Sequence, residues 1–319
     1  MLNNALHLIK KLRYIYLLMV LFAMPITSFA QNVTLIYDDN SLYQTNFVNS
    51  LSAQLLSNTH VNLTTITTTS LSIETLKKAP SDIIVNVNND TIKKLIASNI
   101  PTTTFHALTT LSRSIGFAPC LPDCKKKLPQ HHFFVLDQPP ARQLNLIQLI
   151  NPMFKEVGIV VTEQSKNQLT QLKEIAARKK LTINEHISSS KNVRYQIDNI
   201  SKSSDIILAI ADTDIYNATS LSQILLTSYR YRTPIIGFSK GFIRAGAIAG
   251  AVSSIEQLAQ HLAESISTFN NTSEPLSNNV IYPKYFNVVS NRSVAKSLNL
   301  HLPNDNKLKE RLITYESTR

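Results

Sequence analysis

The pentapeptide Gly237-Phe238-Ser239-Lys240-Gly241 closes the apolar run "TPIIGF". It matches the G-x-S-x-G turn on which α/β hydrolases expose a nucleophilic serine between a strand and a helix. Such a serine needs a later acid and histidine, and an oxyanion hole of backbone N–H groups on an earlier loop. Glu256, Glu264, Glu274, His261 and His301 all follow Ser239, so a Ser, acid, His order can be written. The oxyanion loop cannot. Of the 6 glycines in the chain, Gly237, Gly241, Gly246 and Gly250 crowd this one stretch, and none lies between Gln31 and Ile115. The same gap removes the glycine-rich loops that cradle phosphates and dinucleotides. Ser239 therefore reads as a polar side chain at a strand end, with serine hydrolysis the third of three functions considered.

A second chemistry is offered by Cys120 and Cys124 in "APCLPDCKKK", the 2 cysteines of the chain. Two close thiols in an oxidising compartment pair. The alternative adds His131 and His132 as a Cys/Cys/His/His metal set. That spacing matches no familiar zinc pattern, so a disulfide is expected and neither a metal nor a cofactor is assigned.

The remaining polar candidates stand where strands should end. Short β-rich runs alternate with helical patterns: "NVTLIY", "VNLTTI", "DIIVNV" and "IPTTTF" in the first half, then "VGIVV", "LTINEH", "DIILAI" and "TPIIGF". This alternation predicts an α/β protein of two Rossmann-like lobes, each a parallel sheet covered by helices. Ser81-Asp82-Ile83-Ile84 and Ser204-Asp205-Ile206-Ile207 mark an internal repeat, each followed by a helix and a strand that starts at a proline. On that repeat, His106 pairs with Ser239 and Asn89 with Asp212. Ligands bind beyond the carboxyl ends of such strands. Asp38, Asp39, Ser41, Asn89, His106, Thr162, Asp212 and Ser239 are thus candidate contacts for a small polar or zwitterionic ligand. Helix N-capping is the competing role for each of them.

The first thirty residues stand apart. Lys10, Lys11 and Arg13 precede "YIYLLMVLFAM", and Ser28-Phe29-Ala30 supplies the small residues of a cleavage site. The apolar run falls short of the roughly twenty residues that span a bilayer. Cleavage after Ala30 and a periplasmic location are expected. The net charge of +11 includes those three basic residues and no acid, leaving 11 − 3 = +8 for the exported chain. Basic residues are scattered along the sequence without interleaved aromatics, so a solvated surface is expected and no nucleic-acid partner.

"SYRYRTPIIGFSKGFIRAGAIAGAVSSIEQLAQHLAE", "FFVLDQPPARQLNLIQLI" (with Asp137, Gln138, Pro139 and Arg142), "DTDIYNATSLSQILLTSYRYR" and "PKYFNVVSNRSVAKSLNLHLPNDNKLKERL" together resemble the uncharacterised ABC-transporter substrate-binding protein family. That family has the type I periplasmic-binding fold. The resemblance runs from about His132 to Leu312. It implies two α/β lobes joined by a multi-crossover hinge, with residues 31–152 and 253–284 in lobe one and 153–252 and 285–319 in lobe two. It also implies a monomer that closes on a small amino-acid-like ligand and presents it to an ABC permease or another envelope partner. Carried over, the second-lobe cleft positions are Asp212, Tyr216, Gly237, Phe238 and Ser239. Asn88-Asn89 stand where many members have a Gly-Thr pair. The family's Gly-Asn-x-Thr-Gly turn before the second lobe is replaced by the cysteine loop and His131-His132. The expected function is a periplasmic solute-binding protein rather than an enzyme. An envelope adaptor or sensory protein retaining the fold is the second function considered.

Overall fold

The computed structural model describes residues 30–58, 61–78, 81–189, 191–272 and 278–317. Apart from Ala30, the expected leader lies outside them. Two six-stranded sheets carry the fold. The first comprises β1 (Gln31–Tyr37), β2 (Val61–Thr67), β3 (Ile83–Asn86), β4 (Thr103–Thr109), β5 (His131–Val135) and β11 (Val280–Ile281), in the order β11-β5-β4-β3-β1-β2. The second comprises β6 (Glu156–Val161), β7 (Thr182–Ile187), β8 (Ile206–Leu208), β9 (Ile235–Ile236), β10 (Ala249–Val252) and β12 (Asn287–Ser290), in the order β12-β10-β9-β8-β6-β7. Pairing is parallel except between β10 and β12. The two orders match strand for strand, as the repeat predicts, and differ only in the direction of the last strand, β11 running parallel to β5 and β12 antiparallel to β10.

Helices cover both faces. Those of the first half are α1 (Leu42–Asn58), α2 (Ile73–Lys78), α3 (Ile92–Ala97) and α4 (Leu111–Phe117). They are followed by α5 (Pro140–Ile150), α6 (Leu169–Arg178), α7 (Val193–Lys202), α8 (Leu221–Arg230), α9 (Lys240–Ala245), α10 (Ile255–Thr272), α11 (Arg292–Ser297) and α12 (Asp305–Ser317). Inner parallel strands such as β1, β3, β6 and β8 are buried on both faces, which is why they appear as apolar runs, whereas the edge strands β2 and β7 are half-exposed. Val33, Leu35, Ile83, Val85 and Phe105 form one core with Phe47, Leu51 and Leu55 of α1. Leu258, Leu262 and Ile266 of α10 complete it, although α10 directly follows a strand of the other sheet. In return, Leu144, Ile147 and Ile150 of α5 pack with Val157, Ile159 and Leu308 in the second core. The chain thus passes between lobes at 136–139, 253–254 and 282–286. Residues 140–150, assigned with lobe one from sequence, pack in the core of the second sheet.

Within the Ala/Gly stretch after Ser239, Ala249–Val252 form strand β10. A Cβ on Gly250 would lie 2.1 Å from the Gly237 carbonyl oxygen. The close approach that these glycines permit is therefore between two strand ends within one sheet. Gly241 sits in α9, where an added Cβ would meet Ser239 Oγ at an ordinary 3.9 Å.

Candidate functional site

The carboxyl ends of both sheets face one another across the three passages. A cavity between the lobes encloses about 490 Å³, its open mouth included. Its walls come from Leu111 at the start of α4, Asp137 and Gln138 in the first passage, and Tyr282 in the third. Gln143 of α5, Gln168, Leu172 and Leu208–Ala211 of the second lobe, and Phe238 complete it.

The hinge is built before the cavity. Gln138 Nε2 donates to Ser253 Oγ at 3.0 Å, and Ser253 Oγ donates to the Tyr285 carbonyl at 2.6 Å. One chain of hydrogen bonds therefore links all three passages. Arg142 is 2% exposed and locks the chain from below. Its guanidinium donates to Gln138 Oε1 (2.7 Å), the Pro283 carbonyl (2.8 Å) and both carboxylate oxygens of Glu316 (2.6 and 2.7 Å). It also stacks 3.9 Å from the Phe286 ring centroid. A planar five-donor fork is the side chain that can do all of this at once.

Asp137 follows β5 by two residues and projects into the cavity. Its Oδ2 accepts from Leu111 N at 2.7 Å. Burial pushes the carboxyl up to about 6, against the pull of that N–H. Burial, then the charge of Asp137, pushes the Tyr282 phenol up as well. Gln143 Oε1 and Gln168 Nε2 both lie buried in this lining without a hydrogen-bond partner. An unpaired buried acceptor and an unpaired buried donor in one cavity are costly unless a guest satisfies them.

Of the residues expected from sequence to bind ligand, Phe238 lines this cavity. Tyr216 packs beside it, ring centroids 5.8 Å apart, with a buried hydroxyl that has no partner. Thr162 and Asp212 are brought together, but as a closed loop. Asp212 Oδ2 accepts from Thr162 Oγ1 (2.8 Å) and Ser165 Oγ (2.6 Å), while Oδ1 accepts from Asp214 N (3.0 Å). Ser239 caps α9, its Oγ accepting from Phe242 N at 3.1 Å. Asp38 and Ser41 order the turn into α1 by accepting from Asn40 N and Gln44 N, and Asp39 is exposed. Asn88 caps the turn after β3 by accepting from Asp90 N. Asn89 donates to the Leu108 carbonyl at 3.4 Å, and its Oδ1 is buried without a partner.

His106 lies within β4, fully buried, not at a strand end. Asn86 Nδ2 donates to its Nδ1 (3.2 Å), which fixes Nε2–H as the donor to His131 Nδ1 (3.0 Å). The sheet registers also correct the repeat. Val85 pairs with Phe105 and Leu208 with Ile236, so with Asp82 matched to Asp205 the counterpart of His106 is Gly237. The slip arises because β4 runs on through a bulge at Leu108 (φ 55°), whereas β9 stops at Ile236. By role, Ser239 matches Thr110, which caps α4 by accepting from Arg113 N.

Asp137, Gln143, Gln168 and Tyr282 were not among the sequence candidates. A signal existed for Asp137: a carboxylate just past the apolar "FFV", with Pro140 at the start of the next helix. Cys120 and Cys124 form the expected disulfide, and Asn279 Oδ1 accepts from Cys124 N to hold that loop against β11.

A family model described as ABC transporter substrate binding protein matches residues 137–310, more than half of the chain. The protein belongs to that family. The match opens at Asp137, where the first passage reaches the cavity. Solved structures share the fold of this substrate-binding protein. The ligand-free, open structure of a Clostridium difficile substrate binding protein with adhesive properties aligns with TM-score 0.62 at 15% identity. It covers 86% of this chain and 97% of that one. An ABC domain in complex with L-Trp from Streptococcus pneumonia aligns with TM-score 0.56 at 16% identity, with the same 86% and 97% coverage. A conserved domain protein from Vibrio cholerae gives 0.56 at 18% identity, again covering 86% and 97%. No curated protein matches the chain in sequence. The two lobes are thus those of the type I periplasmic-binding fold, in a substrate-binding protein for ABC transport. Among the described residues no helix is long and apolar enough to cross a membrane.

Proposed function

We propose that this protein is a periplasmic solute-binding protein, a monomer that closes on one small, polar, amino-acid-like molecule and delivers it to an ABC permease. The leader read in residues 1–30 would export it. The observation that carries the ligand class is the unsatisfied polar lining of the interlobe cavity. Asp137 offers a carboxylate to an ammonium group, which would in turn pull its raised pKa back down. Gln168 Nε2 offers a donor and Gln143 Oε1 an acceptor. Phe238, Leu111 and Leu172 supply an apolar wall for a side chain. The L-Trp held by the streptococcal protein of the same fold makes aromatic amino acids a starting point. No covalent step is required: the ligand favours the closed state and its free energy goes into closure.

Calorimetry and thermal shift across amino acids, purines and short peptides test this reading. A ligand at a hundredfold excess over its Kd stabilises the fold by about 2.7 kcal/mol. Asp137→Asn should abolish binding of the amino compound that wild type prefers, and Phe238→Ala should weaken it. Stabilisation by none of these compounds, or full affinity in Asp137→Asn, overturns the reading.

A further inference from the structure

A parallel sheet returns every helix to the same edge. In the second sheet the segments 152–155, 178–181, 202–205, 230–234 and 245–248 all end at the amino-terminal edge of the strands, and antiparallel β12 finishes there at Ser290. Basic residues that are scattered in sequence are gathered by this topology. Lys155, Arg178, Lys180, Arg230, Arg232 and Arg244 are all exposed at or beside this edge. None of the six forms an ion pair among the described residues. The acids of the edge are turned to local use. Asp205 Oδ2 accepts from Lys155 N and Glu156 N, and Glu156 Oε2 accepts from Asn184 Nδ2. Helix dipoles favour a cation in a last helical turn. That accounts for Arg178, Arg230 and Arg244, but Lys155, Lys180 and Arg232 lie outside the helices.

The same edge exposes apolar surface. Met153 is 76% exposed, Leu226 53% and Tyr229 46%. Leu226 and Tyr229 border a groove whose floor runs over Pro234 and Gly246 to Leu298. Leucine, methionine and tyrosine set between unpaired arginines and lysines make an interfacial surface, with rings and chains at headgroup depth and cations on phosphates. A nucleic acid would use the cations and leave Met153 and Leu226 without purpose.

We infer that the amino-terminal edge of the second sheet docks on a membrane surface bearing anionic phospholipids. Charge complementarity holds it there, and the groove beside Leu226 and Tyr229 takes apolar contact. This face points away from the interlobe cavity, so docking leaves ligand closure free.

The test uses the chain from Gln31 onward, which contains every strand of both sheets, with phosphatidylcholine vesicles with and without phosphatidylglycerol. Co-sedimentation is expected with phosphatidylglycerol and is weakened by salt. At about 1 kcal/mol per basic residue near the surface, the Arg230→Ala/Arg232→Ala/Arg244→Ala variant should bind roughly a hundredfold more weakly. Leu226→Ala/Tyr229→Ala, which leaves the charge unchanged, should bind several-fold more weakly. Lys125→Ala/Lys126→Ala/Lys127→Ala, in the other lobe, should bind as wild type does. Unchanged thermal unfolding in each variant separates lost docking from lost fold. No phosphatidylglycerol-dependent binding overturns the inference, as does an equal loss in the lysine control. So does a duplex oligonucleotide held as tightly as the vesicles with no effect of Leu226→Ala/Tyr229→Ala.

Discussion

Asp82 and Asp205 make the same clasp in the two lobes. Asp82 N donates to the Asn32 carbonyl at 2.9 Å, and its Oδ2 accepts from Asn32 N at 2.8 Å. Asp205 N donates to the Glu156 carbonyl at 2.8 Å, and its Oδ2 accepts from Glu156 N at 2.9 Å. Each aspartate leads into the third strand of its sheet and ties it to the first, so the clasp sets the register of the pair beside it. The second copy does more, since Asp205 Oδ2 also accepts from Lys155 N at 2.7 Å. Asp205→Ala therefore strands two backbone donors and Asp82→Ala one. Both aspartates are exposed, so water softens the loss. Chemical denaturation should show about 1 kcal/mol lost for Asp205→Ala and less for Asp82→Ala. The reverse order would show that the clasps do not carry this energy.

The hinge gives a larger effect. Removing the Arg142 side chain strands Gln138 Oε1 and the Pro283 carbonyl, and leaves Glu316 without its bidentate partner. Glu316 is the more exposed partner, its side chain 33% accessible against 3% for Arg142. Loss of the buried arginine should cost on the order of 3 kcal/mol, and Glu316→Gln clearly less. Arg142→Lys should recover little, because a point-like ammonium cannot reach carbonyls and carboxylate together. Thermal unfolding of the three variants checks the ranking, and an Arg142→Lys protein as stable as wild type would refute it.

The fold was legible wherever burial on both faces left a run of branched apolar residues, as in "NVTLIY", "VGIVV" and "DIILAI". It was not legible where the sheet uses other residues. Strand β10 is "AGAV", because Gly250 must admit the Gly237 carbonyl, and β5 begins with two histidines satisfied by Asn86–His106 and by the Asn278 carbonyl. Polar strand ends were visible as such, yet Asp212 spends its hydrogen bonds on Thr162 and Ser165 of the neighbouring strand end and on Asp214, and Ser239 spends its own on capping α9. The cavity takes Asp137 and Tyr282 from two different passages, which no local pattern connects. Only the hinge brings them together.

Acid should destabilise the protein, and the sign follows from the histidines. Burial holds His131 and His261 down to about 4, and it also lowers His132 and, well below its usual value, His106. A histidine that is neutral when folded and titrates near 6.5 when unfolded takes up a proton on unfolding between those values. Its contribution is intact above about pH 6.5 and is lost as pH falls toward 4. Asp137 acts oppositely. Its carboxyl is raised to about 6, so it favours the fold in acid and that support fades as pH rises through 6. Four histidines outweigh one aspartate. His131 alone, 7% exposed, carries up to about 3 kcal/mol. The thermal midpoint should fall between about pH 6.5 and about pH 4.5, with a shallower slope in His131→Asn. A midpoint that holds or rises over that interval would contradict the assignment.

One glycine sits where the two lobes touch. Gly116, at the end of α4, is the sole glycine of residues 31–152. A Cβ there would lie 2.3 Å from Gln164 Nε2, which reaches across from the second lobe to the Ser112 carbonyl at 3.5 Å. The crowding atom is the tip of a flexible side chain, so Gly116→Val displaces Gln164 without unfolding the first lobe. What it removes is one contact between the lobes. Worth about 1 kcal/mol or less, that contact should shift ligand affinity by up to about fivefold. Small-angle scattering of the ligand-free variant should show a larger radius of gyration at an unchanged thermal midpoint. Gln164→Ala should reproduce both changes, and the double variant should go no further than either single one, since the two side chains share one contact. Additive losses, or scattering identical to wild type in Gly116→Val, would show that this contact does not hold the lobes together.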